Sequence, residues 1–315
     1  MGILRLYLAI CVISAHSESV LPWGNHSGRE AVQLFFIISG FYMQFILGSE
    51  KYDSTRNFYF SRMFRIFVPY FTAILIIVIV SVTTGLVFHN WLTLNASIHR
   101  EQNGSFGSIL AILTNGSLFF QDWVMFIKHN KGESLMFTLN FSDSSYPLYR
   151  YLWIPQAWSV GTELTFYIFA PWLVKKCTTS HLFILIALSM TLRLFCYFQW
   201  DLNHDPWNYR FFPFEIVHFV YGILACRLLQ RYSQLFERIT SVITGLSTSI
   251  GWLFFPILTA VLLFGFWLHL RLLHLLSNYA AISIRGGEEL AYLAFLPIWI
   301  LFLPIFFFDN PTLEC

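Results

Sequence analysis

Two ionisable side chains, Arg5 and His16, stand eleven residues apart in the first apolar segment of the chain. Eleven helical steps return to within roughly 20° of the starting direction, so both side chains are expected on one helix face, roughly 16 Å apart along its axis. An imidazole can take a proton from a hydroxyl near neutral pH and return it, as transfer of an acyl group to an alcohol requires. Glu18 reaches His16 only if the helix ends near Pro22. The alternative is a histidine satisfied by a polar neighbour on another helix.

A pair of arginines, Arg62 and Arg65, opens the third apolar run as R-x-x-R. Planar guanidinium groups bind phosphate through paired hydrogen bonds, and residues three apart share one side of a helix. The pair therefore predicts an anion site suited to the phosphates of coenzyme A. The alternative is a pair of arginines that only mark the cytoplasmic end of a membrane helix.

Ser159 and Glu163 form a third polar pair. They lie four residues apart in a later apolar segment, so one helix turn presents both side chains together. We place Glu163 near the outer end of its span, at a depth comparable to that of His16. There it is expected to orient the imidazole or to contact the hydroxyls of an acceptor. The alternative is a carboxylate that caps a helix or pairs with an arginine.

The composition indicates an integral membrane protein. Of 315 residues, 57% are hydrophobic and only 11% are charged, whereas soluble domains carry about a quarter charged residues. A net charge of +2 does not indicate nucleic-acid binding. The five cysteines are scattered without a C-x-x-C pattern, so neither a disulfide framework nor a metal site is expected.

The hydropathy pattern predicts an all-α polytopic transmembrane bundle. A spanning helix needs about twenty apolar residues. The candidate spans are 3–21, 31–48, 66–88, 158–174, 181–199, 212–230, 246–268 and 290–308. The segment 108–126 is too polar to face lipid, and we expect it to be re-entrant or interfacial.

The positive-inside rule gives the orientation. Positive residues follow the second, fourth and sixth predicted spans, and all three clusters fall on one side of the membrane if 108–126 does not cross it. This places the N-terminus in the cytoplasm and the long connection 89–157 outside. We therefore predict a multi-pass protein of the inner or plasma membrane.

Several other residues inside or beside the predicted spans have assignable roles. Gly40 and Gly222 are expected to permit close helix packing. Arg210, near Asp201, Asp205 and Glu215, predicts a structural salt bridge. His218 lies one turn from a glutamate within a span and is a secondary candidate for the site.

Four motifs in this order resemble those of the acyltransferase 3 family of membrane O-acyltransferases. They are R-x10-H at 5–16, F-F-I-I-S-G-F at 35–41, S-R-M-F-R-I-F-V-P-Y at 61–70 and W-S-V-G-T-E-L-T-F-Y at 158–167. Each motif alone is weak, but the four together are fairly specific. The resemblance covers roughly residues 3–230, and the remainder agrees only in hydropathy.

The resemblance implies a role for each matched position. Arg5 and His16 would be required for activity, with His16 as the acid–base group, while Arg62 and Arg65 would bind the acyl donor. The last motif would contribute catalytic or supporting residues, namely Trp158, Ser159, Glu163, Phe166 and Tyr167.

The implied activity is transfer of an acyl group, commonly acetyl, from cytoplasmic acyl-CoA to a hydroxyl of a cell-envelope glycan or lipid-linked sugar. Acyl-CoA would be a co-substrate, and no cofactor or metal is expected. We expect one membrane-embedded domain over 1–315, apparently lacking the last two of the ten helices usual in the family. A transporter or flippase, or an inactive truncated remnant, is the alternative.

Overall fold

A computed structural model describes residues 2–17, 28–49, 51–94, 105–130, 134–144, 146–207 and 209–234 of the chain. The described part is a bundle of seven α-helices with one short β-hairpin. The helices are α1 (Gly2–His16), α2 (Gly28–Gly48), α3 (Thr55–Phe88), α4 (Ser105–Ser117), α5 (Trp158–Lys175), α6 (Thr179–Trp200) and α7 (Phe212–Arg231). Strands β1 (Ile127–Asn130) and β2 (Ser134–Phe137) pair antiparallel. The predicted all-α architecture is therefore confirmed.

Four of the described helices, α2, α3, α6 and α7, are long and apolar enough to cross a membrane. The α1 helix has an apolar stretch, Leu4–His16, that is shorter than a spanning helix. The α5 helix has 18 residues and carries polar side chains within the bundle. The predicted spans 246–268 and 290–308 lie outside the described residues, as does the question of missing terminal helices.

The α3 helix begins earlier than the sequence suggested. Its 34 residues follow Ser54, whose side chain accepts a hydrogen bond from the Asn57 backbone N–H and so caps the helix. Such a helix is about 51 Å long, well beyond the roughly 30 Å of a bilayer core. Arg62 and Arg65 consequently lie within a helix that continues past them on both sides. Pro69 is accommodated within the same helix.

The segment 108–126 does not form a spanning helix. The α4 helix has 13 residues and is followed by a turn and a short 3-10 helix, Trp123–Phe126. At about 1.5 Å per residue, α4 covers roughly 20 Å, which is too short to cross. This agrees with the expectation that the segment is re-entrant or interfacial.

The α2 and α7 helices form the centre of the bundle, and two glycines permit their contact. A Cβ atom at Gly40 would lie 1.9 Å from the Phe219 carbonyl oxygen, and one at Gly222 would lie 1.9 Å from that of Ile37. The backbones can therefore approach closely only without these side chains. Around the contact, Phe219 stacks on Phe36 and Phe166 with ring centroids 4.6 and 4.1 Å apart.

A buried ionic cluster joins α2, α6 and α7. Glu215 accepts hydrogen bonds from Arg193 at 2.8 Å and from Gln33 at 2.9 Å, and His218 Nδ1 lies 3.2 Å from the same carboxylate. All four side chains are at most 5% exposed. Each charge thus has a partner, which is the condition for tolerating charge in a membrane interior.

Candidate active site

A cavity of about 650 Å³ lies between α1, α2, α3 and α5. It is lined mainly by apolar residues, and its walls also carry arginine, glutamate, serine and tyrosine side chains. A concave, mostly apolar cavity with few convergent polar groups is the usual form of a binding site.

Contacts between the helices show how this cavity is oriented. Arg5 of α1 lies over the ring of Tyr42 of α2, with its Cζ atom 4.7 Å from the centroid. At the other ends of these helices, Gly28 lies beside Val12 and Ala15. The α1 and α2 helices are therefore antiparallel, and the lining residues of α1 run from Arg5 through Ala9 to Val12 and Ile13.

Three cations, Arg5, Arg62 and Arg65, line the cavity. Arg5 lies over Tyr42 and Arg62 lies beside Tyr167, which shares a hydrogen-bond acceptor with Ser39, so these cations lie toward the Tyr42 end, called here the charged end. Arg5 is half-buried and Arg65 is exposed. The predicted donor-binding arginines, from the first and third apolar segments, are therefore brought to one cavity.

Arg62 is the most constrained of these cations. Arg62 is only 6% exposed, and its guanidinium makes no hydrogen bond or ion pair with any described residue. Its Cζ atom lies 6.0 Å from the ring centroid of Phe58 and 5.8 Å from that of Tyr167. Aromatic rings offset only part of the cost of burying a charge, so an anion bound beside Arg62 would stabilise it.

Glu163 contributes a carboxylate to the wall of the same cavity. Its Oε1 atom accepts hydrogen bonds from the hydroxyls of Ser39 on α2 and Tyr167 on α5. Arg62 is close enough to Tyr167 for electrostatic interaction. The carboxylate is therefore held by two hydroxyls and lies in the neighbourhood of a buried cation.

The other end of the cavity is apolar and includes Val12, Ile13 and Val32. His16 lies one helix turn beyond Val12, is exposed, and its Nδ1 atom makes a 2.8 Å hydrogen bond with the Val12 carbonyl. Within the described residues His16 and Glu163 thus each have other hydrogen-bond partners. The expected contact between His16 and Glu163 stays a prediction. Glu18 lies outside the described residues.

The remaining predicted residues fall into different surroundings. Ser159 lines the cavity, with its hydroxyl donating to the Gln156 carbonyl. Trp158 does not line it, and its ring lies under the guanidinium of Arg210 at 4.6 Å. His218 belongs to the buried ionic cluster with Glu215.

The expected salt bridge of Arg210 is present, since its guanidinium binds both carboxylate oxygens of Asp205, at 2.6 and 2.9 Å. It fixes the loop before α7, beside Trp158. Burial raises the pKa of the neighbouring Tyr209 phenol. In the part of the chain that the structure describes, no group of three or more His, Cys, Asp or Glu residues is placed to hold a metal ion.

Ser39 and Tyr70 are two site residues that the sequence did not single out. Ser39 belongs to the F-F-I-I-S-G-F motif, and its hydroxyl in an apolar helix was the available signal. Tyr70 lines the cavity from α3, accepts from Gln121 at 2.9 Å and donates to the Asn115 carbonyl at 2.8 Å. Its partners come from α4 and from the turn after it, and no sequence pattern pairs these residues with α3.

Comparison with known protein families finds a match over nearly the whole chain. The family model of the acyltransferase 3 family, described as an acyltransferase domain, matches residues 1–311. The match extends past the region 3–230 on which the motif resemblance depends. No curated protein and no solved structure matches the chain.

Proposed function

The chain belongs to the acyltransferase 3 family and is a membrane acyltransferase, and from this premise we propose that it transfers an acyl group, acetyl in the simplest case, from acyl-CoA to a hydroxyl of a cell-envelope glycan or lipid-linked sugar. The observation that carries the proposal is Arg62, a buried cation without an anionic partner among the described residues, at the wall of the cavity. A phosphate supplies the missing charge.

The donor binds at the charged end of the cavity. Coenzyme A carries several phosphates on a long flexible arm, and Arg5, Arg62 and Arg65 offer guanidinium groups from two helices. Bidentate contacts with these groups hold the phosphates, while the arm follows the apolar walls inward. We propose that the thioester lies along these walls between the arginines and the end where Val12 lies, in the part of the cavity that Glu163 also lines.

The transfer step exchanges a thioester for an ester. The acceptor oxygen attacks the acyl carbon, a carbon–oxygen bond forms and the carbon–sulfur bond breaks. His16 takes the hydroxyl proton and returns it to the departing thiolate, so that free coenzyme A leaves as a thiol. Transfer through an acyl-histidine reaches the same products in two steps. Glu163 orients the reacting groups or stabilises the imidazolium.

The membrane orientation follows from where positive residues gather. Arg227 at the end of α7 donates to the carbonyls of Val174 and Cys177, at 3.2 and 3.0 Å, so the ends of α5 and α7 lie together. Lys175 and Lys176 lie at this same end. The positive-inside rule assigns it to the cytoplasm, where acyl-CoA is available. The protein is thus proposed to be multi-pass, with a cytoplasmic N-terminus and an acceptor approaching from outside.

Calorimetric titration of the purified protein with acetyl-CoA tests the donor site. Replacing both Arg62 and Arg65 by alanine should weaken binding at least about a hundredfold, since a charge-assisted hydrogen bond contributes about 1.5–3 kcal/mol. Arg56→Ala is the matched control, because Arg56 is an exposed cation of the same helix that does not line the cavity. Equal affinity of the double variant and the control variant would refute the donor site.

A further inference from the structure

The hydrogen bonds of Glu163 converge on a single oxygen. Ser39 and Tyr167, from two different helices, both donate to Oε1. No hydrogen bond from a described residue reaches Oε2, although Glu163 is half-buried and lines the cavity. The carboxylate is therefore anchored by one oxygen, and the other is left to contact a ligand.

The two donors are themselves fixed in place. Ser39 is 5% exposed and precedes Gly40, where the backbones of α2 and α7 lie close together. Tyr167 is 6% exposed, and its ring lies 6.4 Å from that of Phe58, edge to face. A side chain held by two rigid donors loses most of its rotamer freedom, which is what a reacting group in a fixed geometry requires.

We infer that Ser39 and Tyr167 are positioning residues that hold Glu163 through Oε1, so that Oε2 faces the reacting groups in the cavity. This inference rests on the proposed function, because it assigns Glu163 to the acyl-transfer site. Neither hydroxyl needs to touch the substrate.

The hydrogen bonds can be measured without any turnover. Glu163→Gln identifies the infrared carboxylate band of Glu163 by its disappearance from the difference spectrum. In Ser39→Ala and in Tyr167→Phe this band should shift, because each change removes a donor from Oε1. Thr165→Val is the matched control, since Thr165 is a hydroxyl of the same helix that donates to the Gly161 carbonyl. A Glu163 band that stays in place in both variants would overturn the inference.

The kinetic test separates positioning from donor binding. With acetyl-CoA as donor, Ser39→Ala and Tyr167→Phe should each lower kcat about tenfold to a hundredfold and leave the KM for acetyl-CoA within about twofold. Ser39→Thr, which keeps a hydroxyl, should recover most of the rate. A wild-type kcat in Ser39→Ala, or a loss that Ser39→Thr does not recover, contradicts the inference. Absence of acyl transfer by the wild-type protein would instead refute the proposed function, while the infrared result still decides the geometry.

Discussion

At the scale of single residues, the site consists of charges and hydroxyls whose spacing in sequence indicated only part of their arrangement. Arg5, Arg62 and Arg65 were expected to act together, and the structure brings them to one cavity. Glu163 was expected beside His16, but its hydrogen bonds come from Ser39 and Tyr167. Helical periodicity fixes which residues share a face, whereas partners on another helix depend on packing that one sequence does not specify.

Asp122 is a buried carboxylate outside the spanning helices and gives a prediction about pH. It is 1% exposed, and burial raises its pKa to about 7, although the backbone N–H groups of Asp122 and Trp123 act in the opposite direction. A carboxyl whose pKa is raised on folding stabilises the protein fully below its unfolded pKa of about 4. This contribution is lost as the pH rises from about 4 through about 7.

Asp122→Asn should therefore remove a pH-dependent part of the stability. The wild-type unfolding temperature in detergent should fall as the pH rises from about 4 to about 7, and the variant should show a flatter profile over that range. Asp143→Asn, at an exposed turn, is the control. Parallel profiles for the wild type and Asp122→Asn would contradict the assigned pKa.

At the scale of helices, the contact between α2 and α7 forms the centre of the bundle. The sequence correctly indicated that Gly40 and Gly222 permit close packing, because glycine in an apolar helix has little other use. It did not indicate that α3 starts at Thr55, because the first residues after Ser54 are polar and do not belong to the apolar run. Hydropathy detects the part of a helix that faces lipid, and it does not detect the parts that extend beyond the membrane.

Gly222→Ala should destabilise the protein severely. The new methyl group would lie 1.9 Å from the Ile37 carbonyl oxygen and 2.5 Å from the Phe41 nitrogen, both backbone atoms that cannot move aside. Overpacking of this kind costs about 3 kcal/mol or more, so a large fall in unfolding temperature is expected. Gly116→Ala is the control, because nothing lies within 4 Å of its added Cβ atom. Equal unfolding temperatures for the two variants would show that the contact is looser than described.

At the scale of the whole molecule, composition was sufficient to predict a helical membrane bundle, and the order of four motifs was sufficient to identify the family. The cavity itself could not have been predicted, because its walls come from four helices separated by long connections. Two arrangements lie on different faces of α2. The cavity with its charged end lies on one face, and the ionic cluster of Glu215 and Arg193 on another.

The cavity is proposed to carry out acyl transfer with His16 just beyond its apolar end. The most direct test is transfer of label from radiolabelled acetyl-CoA to a panel of lipid-linked sugars and envelope polysaccharides, with purified protein in lipid vesicles. The wild type should label an acceptor and release free coenzyme A, and His16→Ala should bind acetyl-CoA normally but lose at least about a hundredfold in transfer rate. Transfer by His16→Ala at the wild-type rate, or no transfer by the wild type to any acceptor, would contradict this proposal.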